Sequence, residues 1–188
     1  MSDRASDFAP EQYRGFLILL ARSAWDAALR DWGDPSDIVH QTLLEAHQKR
    51  DTFQGETAAE FAAWLRTILS NNLYDVGRAV HRAKRDVRRK QSLDAALAES
   101  SARLGCNLSL DDPSPSKLAA TAEQLNRLAD ALERLPVDQR EAITCHHLRG
   151  MSVEATAVQM NRTRPAVAGL LRRGLKQLGS LLGERSAR

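Results

Sequence analysis

Apolar residues in this chain recur at three- and four-residue spacing, segment after segment, and that rhythm is the strongest constraint on its fold. Phe16, Leu17, Leu20, Ala21, Ala24, Trp25 and Ala28 form one such stripe, predicting a helix from about Pro10 to Trp32. Gly33 is a stop. Asp34-Pro35-Ser36-Asp37 then reads as a helix start, with an acid at the cap and Pro at the first position. Ile38, Val39, Leu43, Leu44 and Ala46 follow on that helix. Thr57-Ala58-Ala59-Glu60 matches a capping box. It opens a long helix carrying Phe61, Trp64, Leu65, Ile68, Leu69, Leu73, Val76 and Val80. Three matched stripes make one small bundle over 10–90. The spacing of Trp64 with Phe61, Leu65 and Ile68 assigns it to core packing.

The rhythm breaks over 91–117, where Ser, Asp, Pro and Gly dominate. That stretch predicts a flexible linker with a short helix around Leu93 to Leu97. A second module is expected over 118–183. Leu125, Leu128, Ala129, Leu132 and Leu135 line a helix that Pro136 closes. A helix over Asp138 to Leu148 ends at Gly150, a residue suited to a left-handed cap. Ser152 caps a short helix, Asn161-Arg162 turns, and Thr163 caps a longer helix bearing Val167, Leu170, Leu171, Leu175 and Leu178. A short helix, a tight turn and a longer basic helix make a helix-turn-helix. The expected fold class is therefore all-α, two small helical bundles joined by a flexible linker.

Charge is unevenly spread. Seven of the thirteen residues from Arg78 to Lys90 are basic and only Asp86 is acidic. From Arg162 to Arg188 seven are basic and only Glu184 is acidic. The rest of the chain is net acidic. Two basic patches, each at the end of a helical module, predict two contacts with a polyanion. The longest apolar run, Phe16 to Ala21, is too short to span a bilayer, and the N-terminus does not read as a secretory signal. Cys106 and Cys145 lack metal spacing, which fits a reducing cytoplasm. His146 and His147 point about 100° apart on a helix, a poor arrangement for sharing one ion. No phosphate-loop, zinc-protease or nucleophile-elbow motif is present, so neither a cofactor nor a catalytic role is expected.

Asp34 to Ala46, Phe53-Gln54-Gly55 and Phe61 to Asn72 together resemble the second conserved region of bacterial sigma-70 family factors. Leu135-Pro136-Val137-Asp138-Gln139-Arg140-Glu141, followed by Gly150-Met151-Ser152-Val153-Glu154, resembles the fourth. The order of the regions is similar to the extracytoplasmic-function group, and Pro165 to Leu175 resembles a planctomycete-type subgroup. The resemblance implies a transcription initiation factor. Asn71, Asp75 and the loop after Val80 would hold an extruded base of the minus-ten element. Asn72, Arg78, Arg82, Lys84 and Arg85 would complete that single-strand site. Arg162, Thr163, Arg164, Arg172, Arg173 and Lys176 would bind the minus-thirty-five duplex, with Arg164 the candidate for a base contact and the other cations holding phosphates. Asp37, Ile38, Gln41, Leu44 and Glu45 would face the clamp coiled coil of core RNA polymerase, and the second module would hold its flap. An anti-sigma factor is a further possible partner. The family commonly has basic or polar side chains where Ala168 and Gly169 stand, which points to shape readout there. Two rivals remain at this level: a stand-alone helix-turn-helix regulator, and an interaction protein that never touches DNA.

Overall fold

The computed structural model describes residues 8–25, 33–81, 87–104 and 115–184, and these are helical throughout apart from short turns. A 3-10 turn over Pro10–Tyr13 leads into α1 (Arg14–Ala24). Then come α2 (Pro35–Gln48), α3 (Ala58–His81) and α4 (Val87–Arg103). The second half holds α5 (Pro115–Glu133), α6 (Val137–Ile143), α7 (Val153–Gln159) and α8 (Arg164–Glu184).

The helix starts follow the capping chemistry. The Asp34 carboxylate accepts from Ser36 N at 2.8 Å, and Asp34 N donates to Asp37 at 3.4 Å. Burial pushes the Asp34 carboxyl up, but the Ser36 hydrogen bonds and the nearby Arg22 and Arg140 outweigh it, so it titrates below the ordinary aspartate range. Thr57 N donates to Glu60 at 2.9 Å, and Glu60 N returns a bond to Thr57 Oγ1 at 3.2 Å. Ser152 Oγ accepts from Ala155 N at 3.1 Å at the start of α7. Gly150 has φ +71°, as its cap position demands, and Asn161 takes φ 50° in the tight turn.

Four expectations change. The first helix stops at Ala24 rather than Trp32, because Trp25 turns to extended backbone. Arg149 takes the freed carbonyls, donating to Ser23 O at 2.7 Å and Trp25 O at 2.5 Å. Ala28 lies outside the described residues, as does Cys106. Second, the first part of the expected linker is α4, a full helix. Leu97 is completely buried, Ser100 and Ser101 are buried beside it, and Ser70 donates to Asp94 across the α3–α4 contact. Helix α4 packs against α1 and α3 instead of forming a tether. Third, α5 begins at Pro115, ahead of the expected start. Fourth, the helix expected to Leu148 widens into a π-helical turn over Thr144–Leu148.

Helix α1 is the hub. Every residue from Gly15 to Ser23 is buried, and the helix packs against α2, α3 and α4 on one side and α5 and the π turn on the other. Between Gly15 and Ala21 the helix is apolar or small all round, which suits a place inside a core. The two bundles are therefore not held apart but share one seam along α1 and α5. A Cβ on Gly15 would sit 2.4 Å from Asn126 N, so only glycine allows this approach. Gly15 N, an open donor in the first turn of α1, bonds Asn126 Oδ1 at 2.7 Å. Arg22 lies buried in the seam and pairs with Glu133, which also takes Arg140 at 2.5 Å. Burial, then the neighbouring Arg140, lowers the Arg22 pKa.

Candidate nucleic-acid interface

The α3 residues divide into two faces. Asn71, Asp75 and Arg78 follow a four- and three-residue spacing, which puts them on one side of the helix. Asp75 and Arg78 are exposed and 3.5 Å apart, and the Arg78 guanidinium lies 6.0 Å from the Tyr74 ring centre. Asn72 turns inward instead. Its Nδ2 donates to Thr42 Oγ1 at 3.1 Å, and that buried hydroxyl donates to Ile38 O at 2.7 Å. Asn72 thus ties α3 to α2. Arg82, Lys84 and Arg85 lie outside the described residues.

On α2 the expected face is mostly present. Asp37, Gln41 and Leu44 are exposed, and Glu45, half-buried, pairs with Lys49 at 2.5 Å. Leu44 keeps 51% of its surface in solvent. Ile38 differs. Only 5% exposed, it sits with Val39, Thr42 and Ala46 on the core side, so it is a packing residue and not a surface anchor. Trp64 is half-buried among aromatic rings, 5.4 Å from Phe61 and 5.5 Å from Phe53 by ring centre, in keeping with a core role.

The helix-turn-helix places its cations outward. Arg162, Arg164, Arg172, Arg173 and Lys176 are all exposed. Thr163 caps α8, its Oγ1 accepting from Ala166 N at 3.4 Å. Two arginines have acidic companions that sequence spacing does not reveal: Arg162 Nη2 lies 3.0 Å from Asp138 on α6, and Arg164 Nε lies 2.9 Å from Glu154 on α7. A hydrogen bond from its own backbone N–H, then the charge of Arg164, holds the Glu154 carboxyl below the usual range. Neither companion stands at helical spacing from its arginine, so only the fold brings them together. On the opposite side Val167, Leu171, Gly174 and Leu178 bury α8 against the module.

Among the described residues no cluster of three or more His, Cys, Asp or Glu could hold a metal ion, and no helix is long and apolar enough to cross a membrane. A cleft of about 230 Å³ opens between the bundles, lined by Arg22, Asp34, Arg140, Glu141 and Arg149 among others. Its three guanidinium groups outnumber its two carboxylates.

Residues 11–92 match Sigma-70 region 2 and residues 125–178 match Sigma-70, region 4. The chain is 31% identical to the ECF RNA polymerase sigma factor BldN of Streptomyces coelicolor, over 78% of this chain and 50% of that protein. It is 30% identical to the ECF RNA polymerase sigma-E factors of Escherichia coli and Salmonella typhimurium, over 69% of this chain and 63% of theirs. The chain thus spans half to about three-fifths of the length of these relatives. With two regions of one family matched in order over well more than half its length, the chain belongs to the sigma-70 family, in the extracytoplasmic-function group.

Proposed function

We propose that this protein is a sigma factor: it binds core RNA polymerase, recognises promoter DNA at two places and starts transcription. The observation that carries the reading is the joint presence, in family order, of a region 2 bundle and a region 4 helix-turn-helix that exposes five cations in its turn and along α8. It catalyses no reaction of its own, since the polymerase performs the chemistry, and it works in the cytoplasm where polymerase and chromosome meet.

In this reading 10–90 is the core-binding and minus-ten domain, and 118–183 the minus-thirty-five domain. Asp37, Gln41, Leu44 and Glu45 meet the clamp coiled coil, with Leu44 as the apolar anchor and the acids pairing with basic groups. Asn71, Asp75 and Arg78, together with Arg82, Lys84 and Arg85, receive the unpaired strand. Asn72 supports this face from within through Thr42. Arg162, Arg172, Arg173 and Lys176 hold phosphates of the upstream duplex. Val137 and Val158, 63% and 83% exposed, give the second module an apolar surface for the flap or for an anti-sigma factor. The run Pro165 to Leu175 supports a planctomycete-type subgroup.

Run-off transcription with purified core polymerase on a promoter pool tests the reading. Charge reversal at Arg82, Arg85 and Arg173 together should abolish initiation. Unchanged transcript yield would refute it. Two-fold footprints on duplex without polymerase would favour a stand-alone regulator instead.

A further inference from the structure

The cleft between the bundles is short of hydrogen-bond acceptors. Arg22, only 8% exposed, lines it. Its Nη2 meets Glu133, while its Nε is buried and has no hydrogen-bond partner among the described residues. A charged N–H left unpaired inside a protein is costly, and such a group calls for a partner. Arg140 lines the same cleft and shares the Glu133 carboxylate with Arg22, so one acid serves two cations. Among the described residues Arg140 bonds through Nη1 alone, which leaves Nε and Nη2 with donors to give. Arg149 spends Nε and Nη2 on the neutral carbonyls of Ser23 and Trp25. Its Nη1 has Cys145 Sγ at 4.0 Å, a weak acceptor. Asp34 and Glu141 are the acids of the lining, and Asp34 already accepts from Ser36 N at the positive end of α2. Burial, then the like charge of Arg140, lowers the Arg22 pKa, the response of a cation short of counter-charge.

Guanidinium groups with donors to spare around one cleft suit an oxyanion. A phosphoryl group brings about 1.5 to 2 negative charges and three acceptor oxygens, more than a carboxylate supplies. Trp25 and Val137 add apolar surface to the same lining. At about 230 Å³ the cleft falls below the roughly 300–1,000 Å³ of sites for drug-sized molecules, so its ligand is small. We propose that this cleft is a binding site for a small organic phosphate, its oxygens accepting from Arg22, Arg140 and Arg149 and its carbon part resting on Trp25. Arg22 and Trp25 belong to the first bundle and Arg140 and Arg149 to the second, so a bound phosphate ties the two together. None of the lining residues is among those proposed to meet DNA, and the inference does not depend on the promoter reading.

The test uses the whole chain and three probes, phenyl phosphate, inorganic phosphate and acetate, at matched ionic strength. Calorimetric titration should show a single phenyl phosphate site with a Kd of about 1 mM or tighter, with inorganic phosphate weaker and acetate weaker still. At ten times that Kd the melting temperature should rise by about 3–6 °C. Tryptophan emission should change on binding in the wild type and not in Trp25→Phe. Arg140→Gln should weaken binding about 10- to 100-fold while circular dichroism stays that of the wild type. Arg140 is half-buried, so this variant leaves the buried Arg22 in place, and Arg149→Gln is the second variant. The exposed Arg134 lies outside the lining, and Arg134→Gln should bind as the wild type does. The proposal is overturned if phenyl phosphate shows no saturable binding up to about 10 mM, if acetate binds as tightly as inorganic phosphate, or if Arg140→Gln and Arg149→Gln both bind like wild type. A chain that binds phenyl phosphate yet starts no transcript with core polymerase keeps the site and defeats the sigma-factor reading instead.

Discussion

Replacing Gly15 by alanine tests the seam between the two bundles. In an exposed helix this change is favourable by about 0.5–1 kcal/mol, because alanine loses less backbone freedom on folding. At Gly15 the new methyl would lie 2.4 Å from Asn126 N and 2.6 Å from Asn126 Cα and the Leu125 carbonyl carbon. Carbon atoms sit comfortably at about 3.5–4.0 Å, so α1 and α5 must separate by on the order of 1 Å. Backbone atoms cannot swing aside as a side chain would. Overpacking of this sort costs about 1–3 kcal/mol, and losing the 2.7 Å bond from Gly15 N to Asn126 adds about 1 kcal/mol. Set against the helix gain, the net loss is about 1–3 kcal/mol, or a fall in melting temperature of roughly 2–10 °C for a chain this size. Gly77 on α3 is the control, since a Cβ there meets nothing within 4 Å. Thermal unfolding of both variants should show Gly77→Ala rising and Gly15→Ala falling. Asn126→Ala should then cost little more in the Gly15→Ala background. If Gly15→Ala rises alongside Gly77→Ala, the close α1–α5 approach is wrong.

Three further outcomes are expected. Phe61→Ala should destabilise the chain by about 3–5 kcal/mol in denaturant titration, because Phe61 is fully buried against Phe8, Tyr13, Phe53 and Trp64. Asp34 has its folded pKa below the ordinary 3.8, so its contribution is present above that pH and lost as pH falls through the lower folded value. Asp34→Asn keeps the cap and should make unfolding below pH 4 less steep, as followed by circular dichroism. Lys176→Ala should weaken DNA binding alike on all sequences and reduce the slope of log affinity against log salt by about 1, measured by titration at several ionic strengths.

Local chemistry made much of this molecule legible in its sequence. Asp34, Thr57 and Ser152 announced their helices because a cap needs only residues three or fewer positions away. The helix-turn-helix was readable for the same reason. Helix α4 was not, because its serines and alanines look like linker until neighbours cover them; α4 packs against α1 and α3, and Leu97, Ser100 and Ser101 are buried. Ile38 and Leu44 carry equal hydrophobicity signals on one helix, and only the position of α3 decides which faces inward. The companions of Arg149, Arg162 and Arg164 stand far off or out of helical register along the chain, where no periodicity links them.

The shared seam also sets a limit on reach. A closed chain of this length has a radius of gyration of about 16 Å and measures about 40 Å across. Promoter elements whose names place them about 25 base pairs apart lie on the order of 85 Å apart along B-form DNA. On the proposed promoter-binding reading, gripping both at once would take α1 and α5 apart, and the fraction of molecules already parted would scale the apparent affinity. On that reading glycine at position 15 would bear on how readily promoters are found, although it lies far in sequence from every residue proposed to meet DNA.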